Sequence, residues 1–310
     1  VADREAVLLK LIQEPFMLSL VKPIRTWLFA PGMDARKCEK AVQSAADALI
    51  LDLEDAVALS EKPKARLMLN QLVKSVSPDR QVYVRVNDFM TGMTAEDLRA
   101  VCTGGLAGIV LPKAESAEMV RIASAMIDEL SRAEGLPHGQ ITMCGILETA
   151  RGVLRAEEIA AAGGRLSTLM FGAGDFTGDL GIPTSNVGPH LVNGKIQTAL
   201  ACRAAGIRPP VDTVFFDVTD AAGFEADCRQ AKGLGFQGKA VIHPNQIAMA
   251  NAVFSPTPED IAYAKLVVES FAKAESEGVG AIRVEGKLID YAMVKNSQKL
   301  LDLARALQLA

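Results

Sequence analysis

Aromatic side chains are scarce, with one Trp and three Tyr in 310 residues. A surface that stacks bases needs several rings, and one that grips a phosphate backbone needs surplus positive charge. Lys+Arg number 33 against Asp+Glu 37, a formal net charge of −4, so neither requirement for nucleic-acid binding is met. Histidine is rarer still. His138, His190 and His243 lie far apart with no zinc spacing. The five cysteines are odd in number and form no Cys-x-x-Cys pair. This speaks against a disulfide framework and predicts small core thiols in a reducing, cytoplasmic setting. No apolar run approaches the roughly 18 residues of a membrane span. The first 24 residues mix Asp3, Arg4, Glu5, Lys10 and Glu14 with leucines; they lack the apolar region of an export signal and read as a helical extension, residues 1–24.

What is abundant is apolar residue, 49% of the chain, enough for one large core. Eight short apolar runs stand out: Thr26–Ala30, Ala48–Leu53, Val82–Asn87, Gly108–Pro112, Ile141–Glu148, Thr168–Gly172, Thr213–Asp217 and Lys239–His243. Runs that are apolar at most positions suit a parallel sheet covered on both faces. Helical patterns fill the gaps at Ala35–Ala46, Lys62–Val76, Ser116–Ala133, Arg151–Ala162 and Ala221–Leu234. Eight alternations predict an α/β fold, a closed (β/α)8 TIM barrel over residues 25–254. The alternative, an open doubly wound sheet, expects a glycine-rich fingerprint after the first strand, and Ala30-Pro31-Gly32-Met33-Asp34 is not one. Beyond Ser255-Pro256-Thr257-Pro258 the pattern predicts two helices, about Glu259–Glu277 and Asp290–Ala306, joined by a turn at Val279–Lys287. This C-terminal helical hairpin, residues 255–310, is too small to fold well alone.

In such a barrel the chemistry sits at the C-terminal ends of the strands. Reading those ends gives Pro31 and Gly32; Asp52, Glu54 and Asp55; Arg85 and Asn87; Lys113; Glu148; Asp175; Asp217; and His243. Glu148 and Asp175 end two runs separated by one helical segment, so they should share one end of adjacent parallel strands roughly 4.8 Å apart. Two such carboxylates can hold one Mg²⁺ at roughly 2.1 Å, or each can cap the following helix. Arg85, in an apolar strand, needs a partner: either a substrate carboxylate, which a guanidinium grips in bidentate fashion, or Asp52 or Glu54. If the second strand persists, alternation sends Asp52 and Glu54 to one face and Asp55 to the other. Glu54 and Asp55 are candidates to hold waters beside the cation. Lys113 could contact substrate or form a Schiff base, while Lys239 starts its strand, at the wrong end. His243 reads as a structural cap.

These segments together resemble the citrate lyase β-subunit-like family, within the aldolase/citrate lyase superfamily. The resemblance rests on Arg25-Thr26-Trp27-Leu28-Phe29-Ala30-Pro31-Gly32, Leu51-Asp52-Leu53-Glu54-Asp55-Ala56-Val57, Val84-Arg85-Val86-Asn87, Leu111-Pro112-Lys113, Leu147-Glu148-Thr149-Ala150-Arg151-Gly152, Phe171-Gly172-Ala173-Gly174-Asp175-Phe176 and Ile242-His243-Pro244, in order along the chain. It implies a Mg²⁺-dependent barrel that breaks a carbon–carbon bond in a 3-hydroxyacyl thioester such as malyl-CoA, citramalyl-CoA or a citryl thioester. It implies Glu148 and Asp175 as metal ligands and Arg85 as the grip on the substrate carboxylate. It also implies a homo-oligomer, trimer or hexamer, in which Asp290 from a neighbour's C-terminal hairpin exchanges a proton with the thioester α-carbon; otherwise Asp290 caps the last helix. Relatives carry an aromatic-Ala-Arg stretch where this chain has His190-Leu191-Val192-Asn193-Gly194-Lys195. Lys195 is therefore expected to replace that arginine as a phosphate contact, or else the carrier, CoA or acyl-carrier protein, sits differently. The rival functions are a metal-dependent aldolase acting on free 2-keto acids and a non-catalytic carrier-binding subunit.

Overall fold

The eight apolar runs become a ring because each strand buries both of its faces. On β2 (Ala48–Asp52) every residue is buried. Ala48 and Ile50 point to a cluster with Trp27, Tyr83, Val110, Ile146, Met170, Val211 and Ala240, which fills the barrel interior. Leu49 and Leu51 belong to the larger cluster that packs the helices around it. The computed structural model describes residues 23–77, 79–184 and 188–310. The expected N-terminal helix lies outside the described residues.

The element order is β1 (Thr26–Pro31), α1 (Ala35–Val42), β2, α2 (Lys62–Ser75), β3 (Gln81–Arg85), α3 (Thr94–Val101), β4 (Gly108–Leu111), α4 (Ala117–Ala133) and β5 (Thr142–Leu147). There follow α5 (Ala150–Leu154), α6 (Ala156–Ala160), β6 (Leu166–Phe171), α7 (Ala173–Asp179), α8 (Pro189–Ala205), β7 (Val211–Asp212), α9 (Ala221–Gly233), β8 (Gly238–Val241) and α10 (Asn245–Phe254). All eight strands are parallel neighbours in sequence order, and β8 closes on β1 through Trp27↔Ala240. The fold is the expected (β/α)8 barrel, within the compact unit Ile24–Phe254.

Several boundaries move by a few residues, and for three of them the local reason is visible. The seventh strand is Val211–Asp212 rather than Thr213–Asp217. The apolar run that suggested it leaves the ladder: the Thr213 hydroxyl accepts from Ala173 N, Phe215 packs edge-on to Phe224, and Val214 and Phe216 turn toward the barrel mouth. The eighth strand stops at Val241 because the Gln246 side chain captures the next two amides, Ile242 N and His243 N. The expected helix Arg151–Ala162 is two short ones, broken at Arg155, whose φ of −107° and ψ of 17° leave the helical region.

Residues Ser255–Ala310 belong to a second compact unit. It contains α11 (Pro258–Ser276), α12 (Tyr291–Ala306) and an antiparallel pair, β9 (Ile282–Val284) and β10 (Lys287–Ile289). The segment expected as a plain turn is thus a β-hairpin. Glu285 (φ 48°) and Gly286 (φ 80°) take the two left-handed positions that the tight hairpin turn requires. Thr257 and Asp260 form a reciprocal cap at the start of α11. Val267, Phe271, Val284, Ile289 and Val294 make this unit's core. No helix among the described residues is long and apolar enough to cross a membrane.

Candidate active site

At the carboxyl ends of the strands a cavity of about 450 Å³ opens among Pro31, Asp52, Asp55, Arg85, Glu148 and Asp175. Gly32 does not line it; its role is the turn behind Pro31. Gly32 N donates to Asp52 O at 2.9 Å, and a Cβ there would lie 2.3 Å from that oxygen, so no larger residue fits.

Asp52 organises the second strand end. Its carboxylate accepts from Glu54 N and Ala56 N, and from Arg85 Nε at 2.8 Å and Nη2 at 2.7 Å. The strand ends at Asp52 and the chain turns, so alternation does not carry Asp55 to the opposite face. Asp55 instead comes within 3.4 Å of Arg85 Nη2 and lines the cavity. Glu54 is buried between two cations, 2.8 Å from Arg85 Nη1 and 2.7 Å from Lys113 Nζ. Burial nevertheless lifts its pKa above the usual carboxylate value. Below it, the buried Lys62 Nζ donates to Leu53 O, Glu54 O and Asn87 Oδ1. That ammonium holds the backbone of the acidic turn in place. Nothing in its position marked it in the sequence, since it starts a helix outside the strand ends.

Arg85 stands at the end of β3 beneath the Phe29 ring, 5.3 Å from its centroid. Burial works against its charge, but the carboxylates of Asp52, Glu54 and Glu148 outweigh that and hold its pKa above the ordinary arginine value. The internal salt bridge is therefore real. Asp52 takes the Nε/Nη2 edge, while Glu54 lies 2.8 Å from Nη1 and Asp55 3.4 Å from Nη2, so a ligand shares the remaining Nη hydrogens with these carboxylates. Lys113 is surrounded in the same way, with Nζ 2.7 Å from Glu54, 3.8 Å from Asp88 and 4.0 Å from Asp175. Partial burial works against its charge, but Glu54, Glu148 and Asp175 outweigh that and hold its pKa above the ordinary lysine value, which opposes the deprotonation a Schiff base needs. Its backbone is left-handed (φ 45°). That strained turn accompanies a hydrogen bond from Lys113 N to Glu148 Oε1 at 2.9 Å.

Glu148 is buried at the end of β5. Burial, then the neighbouring carboxylates of Asp175 and Glu54, push its pKa well above the usual range against the pull of Arg85 and the Lys113 N–H. It does not cap the following helix; the Thr149 hydroxyl does, accepting from Gly152 N. Asp175, in the first turn of α7, is 40% exposed on its side chain and faces the same cavity. Space beside Glu148 is kept by Gly172: a Cβ there would come within 2.6 Å of Glu148 Cβ and 2.7 Å of Oε2.

The other strand-end residues go elsewhere. Asp217 is exposed and closes a turn on Thr219. His243 Nδ1 accepts from Asn245 N, a structural role as expected. Lys195 is fully buried and cannot serve as the phosphate contact expected of it. Its Nζ lies 3.1 Å from Asp212 and 2.9 Å from Asp227, an ion cluster completed by Lys239. Asp290 belongs to the second unit and caps α12, with Oδ1 accepting from both Ala292 N and Met293 N.

The model of the HpcH/HpaI aldolase/citrate lyase family matches residues 25–244. The chain belongs to that family. Among family members, it is 34% identical over 283 residues to the citrate lyase subunit beta of Leuconostoc mesenteroides subsp. cremoris, covering 91% of this chain and 93% of that one. It is 33% identical over 295 residues to the L-malyl-CoA/beta-methylmalyl-CoA lyase of Rhodobacter capsulatus (88% and 92% covered). It is 35% identical over 286 residues to the (3S)-malyl-CoA thioesterase of Cereibacter sphaeroides (92% and 96% covered). Its fold matches the crystal structure of CitE from Mycobacterium tuberculosis in complex with magnesium, acetoacetate and coenzyme A. The TM-score is 0.73 at 32% identity, with 93% of this chain and all of that one covered. As a member of the aldolase/citrate lyase family, this chain is a carbon–carbon lyase.

Proposed function

We propose that the protein is a Mg²⁺-dependent lyase that cleaves a 3-hydroxyacyl thioester to an acetyl thioester and a 2-keto acid. The carrying observation is the convergence of Glu148 and Asp175 on one cavity beside the anchored guanidinium of Arg85. Among the described residues, the ion pairs of Asp52, Glu54, Asp55 and Asp175 are with Arg85 and Lys113, and with the buried Glu148 they make an acid-rich group that a divalent cation offsets. The residues fit such an ion: a buried carboxylate that resists ionising alone, a second one opening on the same space, and a glycine at 172 that keeps that space clear. Glu148 and Asp175 would hold it. Bound there, Mg²⁺ supplies a Lewis acid that lowers the pKa of the substrate hydroxyl.

The chain's own residues do the rest. Arg85 binds the substrate carboxylate with the donors Asp52 leaves it, and Phe29 and Asp52 fix its plane. Lys113 N–H orients Glu148, and Lys62 holds the turn bearing Glu54 and Asp55. Asp55 takes the hydroxyl proton at Oδ2. The bond from the carbinol carbon to the thioester α-carbon breaks, and its electron pair passes to the α-carbon. That carbon gains one proton as the hydroxyl loses one, so no redox partner is needed. Asp290 of a neighbouring copy supplies that proton from its carboxyl group. The test is incubation with malyl-, citramalyl- and citryl-CoA with and without Mg²⁺. The expected products are a keto acid and acetyl-CoA, formed only with the metal; no keto acid from any of them overturns the reading. The likeness to a malyl-CoA thioesterase favours one second reading, hydrolysis, which would instead release CoA and an intact 3-hydroxy acid. Cleavage of free hydroxy-keto acids without a thioester would point to an aldolase.

A further inference from the structure

Asn87 stands just past the end of β3 and is buried. Beside it lies Asp97 of α3, a fully buried carboxylate that the proposed chemistry does not use. Asp97 Oδ2 accepts from Asn87 N at 2.7 Å and from Asn87 Nδ2 at 2.6 Å. Its Oδ1 accepts from Arg66 Nε at 2.6 Å. A side-chain amide has one donating end and one accepting end. With its nitrogen drawn to Asp97, the Asn87 oxygen is turned to the ammonium of Lys62. The reverse orientation would set that oxygen against a carboxylate and the amide N–H groups against a cation.

Lys62 has three N–H donors, and three neutral acceptors meet them. One is Asn87 Oδ1. The others are Leu53 O at 2.8 Å and Glu54 O at 2.9 Å, the carbonyls of the peptides that lead into Glu54 and Asp55. The N–H side of the same turn is pinned by Asp52, which accepts from Glu54 N and Ala56 N. Asp52 is tied to Arg85, whereas Lys62 is tied through Asn87 to Asp97. The turn thus has two anchors, one shared with the substrate grip and one separate from it.

We infer that Asp97, Asn87 and Lys62 are positioning residues, a buried relay that holds the Glu54–Asp55 peptide so that the Asp55 carboxylate stays at the cavity. In the lyase reading, on which this inference rests, Asp55 takes the hydroxyl proton. Loss of the relay frees the carbonyl side of the turn while Arg85 keeps its Asp52 partner. Proton transfer then suffers and substrate binding does not, since a reacting group misplaced by about 1 Å can cost about a hundredfold in rate.

Two variants test this. Lys62→Met removes all three donors and keeps the length of the stem. Asp97→Asn is isosteric and removes the carboxylate that orients the Asn87 amide. Steady-state kinetics are measured with Mg²⁺ and the best of malyl-, citramalyl- and citryl-CoA, with kcat expressed per folded molecule from circular dichroism and urea unfolding. The expected result is a fall in kcat of at least about fivefold in Lys62→Met and about threefold in Asp97→Asn, with KM within about threefold of wild type. A pin that serves stability alone would lower the urea midpoint and leave kcat per folded molecule unchanged. If Lys62→Met does not fold, Asp97→Asn decides. A smaller fall in kcat overturns the inference, and so does a loss carried by KM; the lyase reading stands in either case. Wild-type protein that cleaves none of the three thioesters sinks the lyase reading and this inference with it.

Discussion

Glu148 illustrates how a residue's surroundings set its chemistry. Buried beside two other acids, it has its pKa pushed well up, so its charged form needs a positive partner that the two neighbouring cations do not fully supply. Glu148→Gln and Asp175→Asn keep the shape but lose that demand. Each is expected to lower Mg²⁺-dependent keto-acid release by about 10³-fold or more and to abolish the Mg²⁺ heat in titration calorimetry. Wild-type-like release in either variant would remove these residues from the site. Arg85→Lys retains charge but cannot keep the two-point grip of Asp52 on the Nε/Nη2 edge while reaching substrate. Expected is a fall of about 10²-fold in kcat/KM, measured with the best substrate, with the fold unchanged by circular dichroism. Lys62 belongs at this scale too: a buried ammonium on two carbonyls and an amide oxygen can be recognised only when those acceptors are seen together.

Between elements, the buried group Lys195, Asp212, Asp227 and Lys239 ties α8, β7, α9 and β8 together. Two ammoniums against two carboxylates leave no net charge, so burial is tolerable only with the set complete. Asp212→Asn or Lys195→Met is expected to destabilise the fold by about 3–5 kcal/mol in denaturant unfolding, without changing KM for the thioester in the fraction that remains folded. A large KM change with unaltered stability would restore Lys195 to a ligand-binding role. The pH dependence has two limits. Burial of Asp227 raises its pKa, but Lys239 and Lys195 outweigh this and hold it below 3.8; its stabilisation is present above that pH and fades as pH falls through the lowered value. Lys239 pays for burial but is raised above 10.5 by Asp212 and Asp227, so its contribution is full below that pH and is lost as pH rises through the raised value.

For the molecule as a whole, all five thiols are buried, and burial pushes Cys38, Cys102, Cys202 and Cys228 up to about 12. At pH 8 the native protein should therefore give no rapid reaction with a thiol reagent, and five equivalents after denaturation. The unfolded thiols ionise near the ordinary value of 9.0 while the folded ones do not. Stability should accordingly decline as pH rises from about 9 to 12 and be unaffected by thiols below that. The proposed proton transfer from Asp290 of a neighbouring copy makes a further prediction. Asp290→Asn preserves the cap on α12 but cannot exchange a proton. Mixing it with Arg85→Ala subunits should restore part of the activity lost in each alone; no restoration would place the proton donor within one chain.

The local pattern alone determined the barrel, because each strand must hide both faces and each run of apolar residues records that need. Spacing brought Glu148 and Asp175 to one end of neighbouring strands, since parallel strands put their carboxyl ends together. Contacts between residues far apart were not legible. The turn that swings Asp55 beside Arg85, the burial of Lys195 in an ion cluster and the hold of Lys62 on the acidic turn each join segments that a linear reading keeps separate. Only the closed ring decides them, because desolvation and pairing depend on which side chains share a space, and no single stretch of chain contains that information.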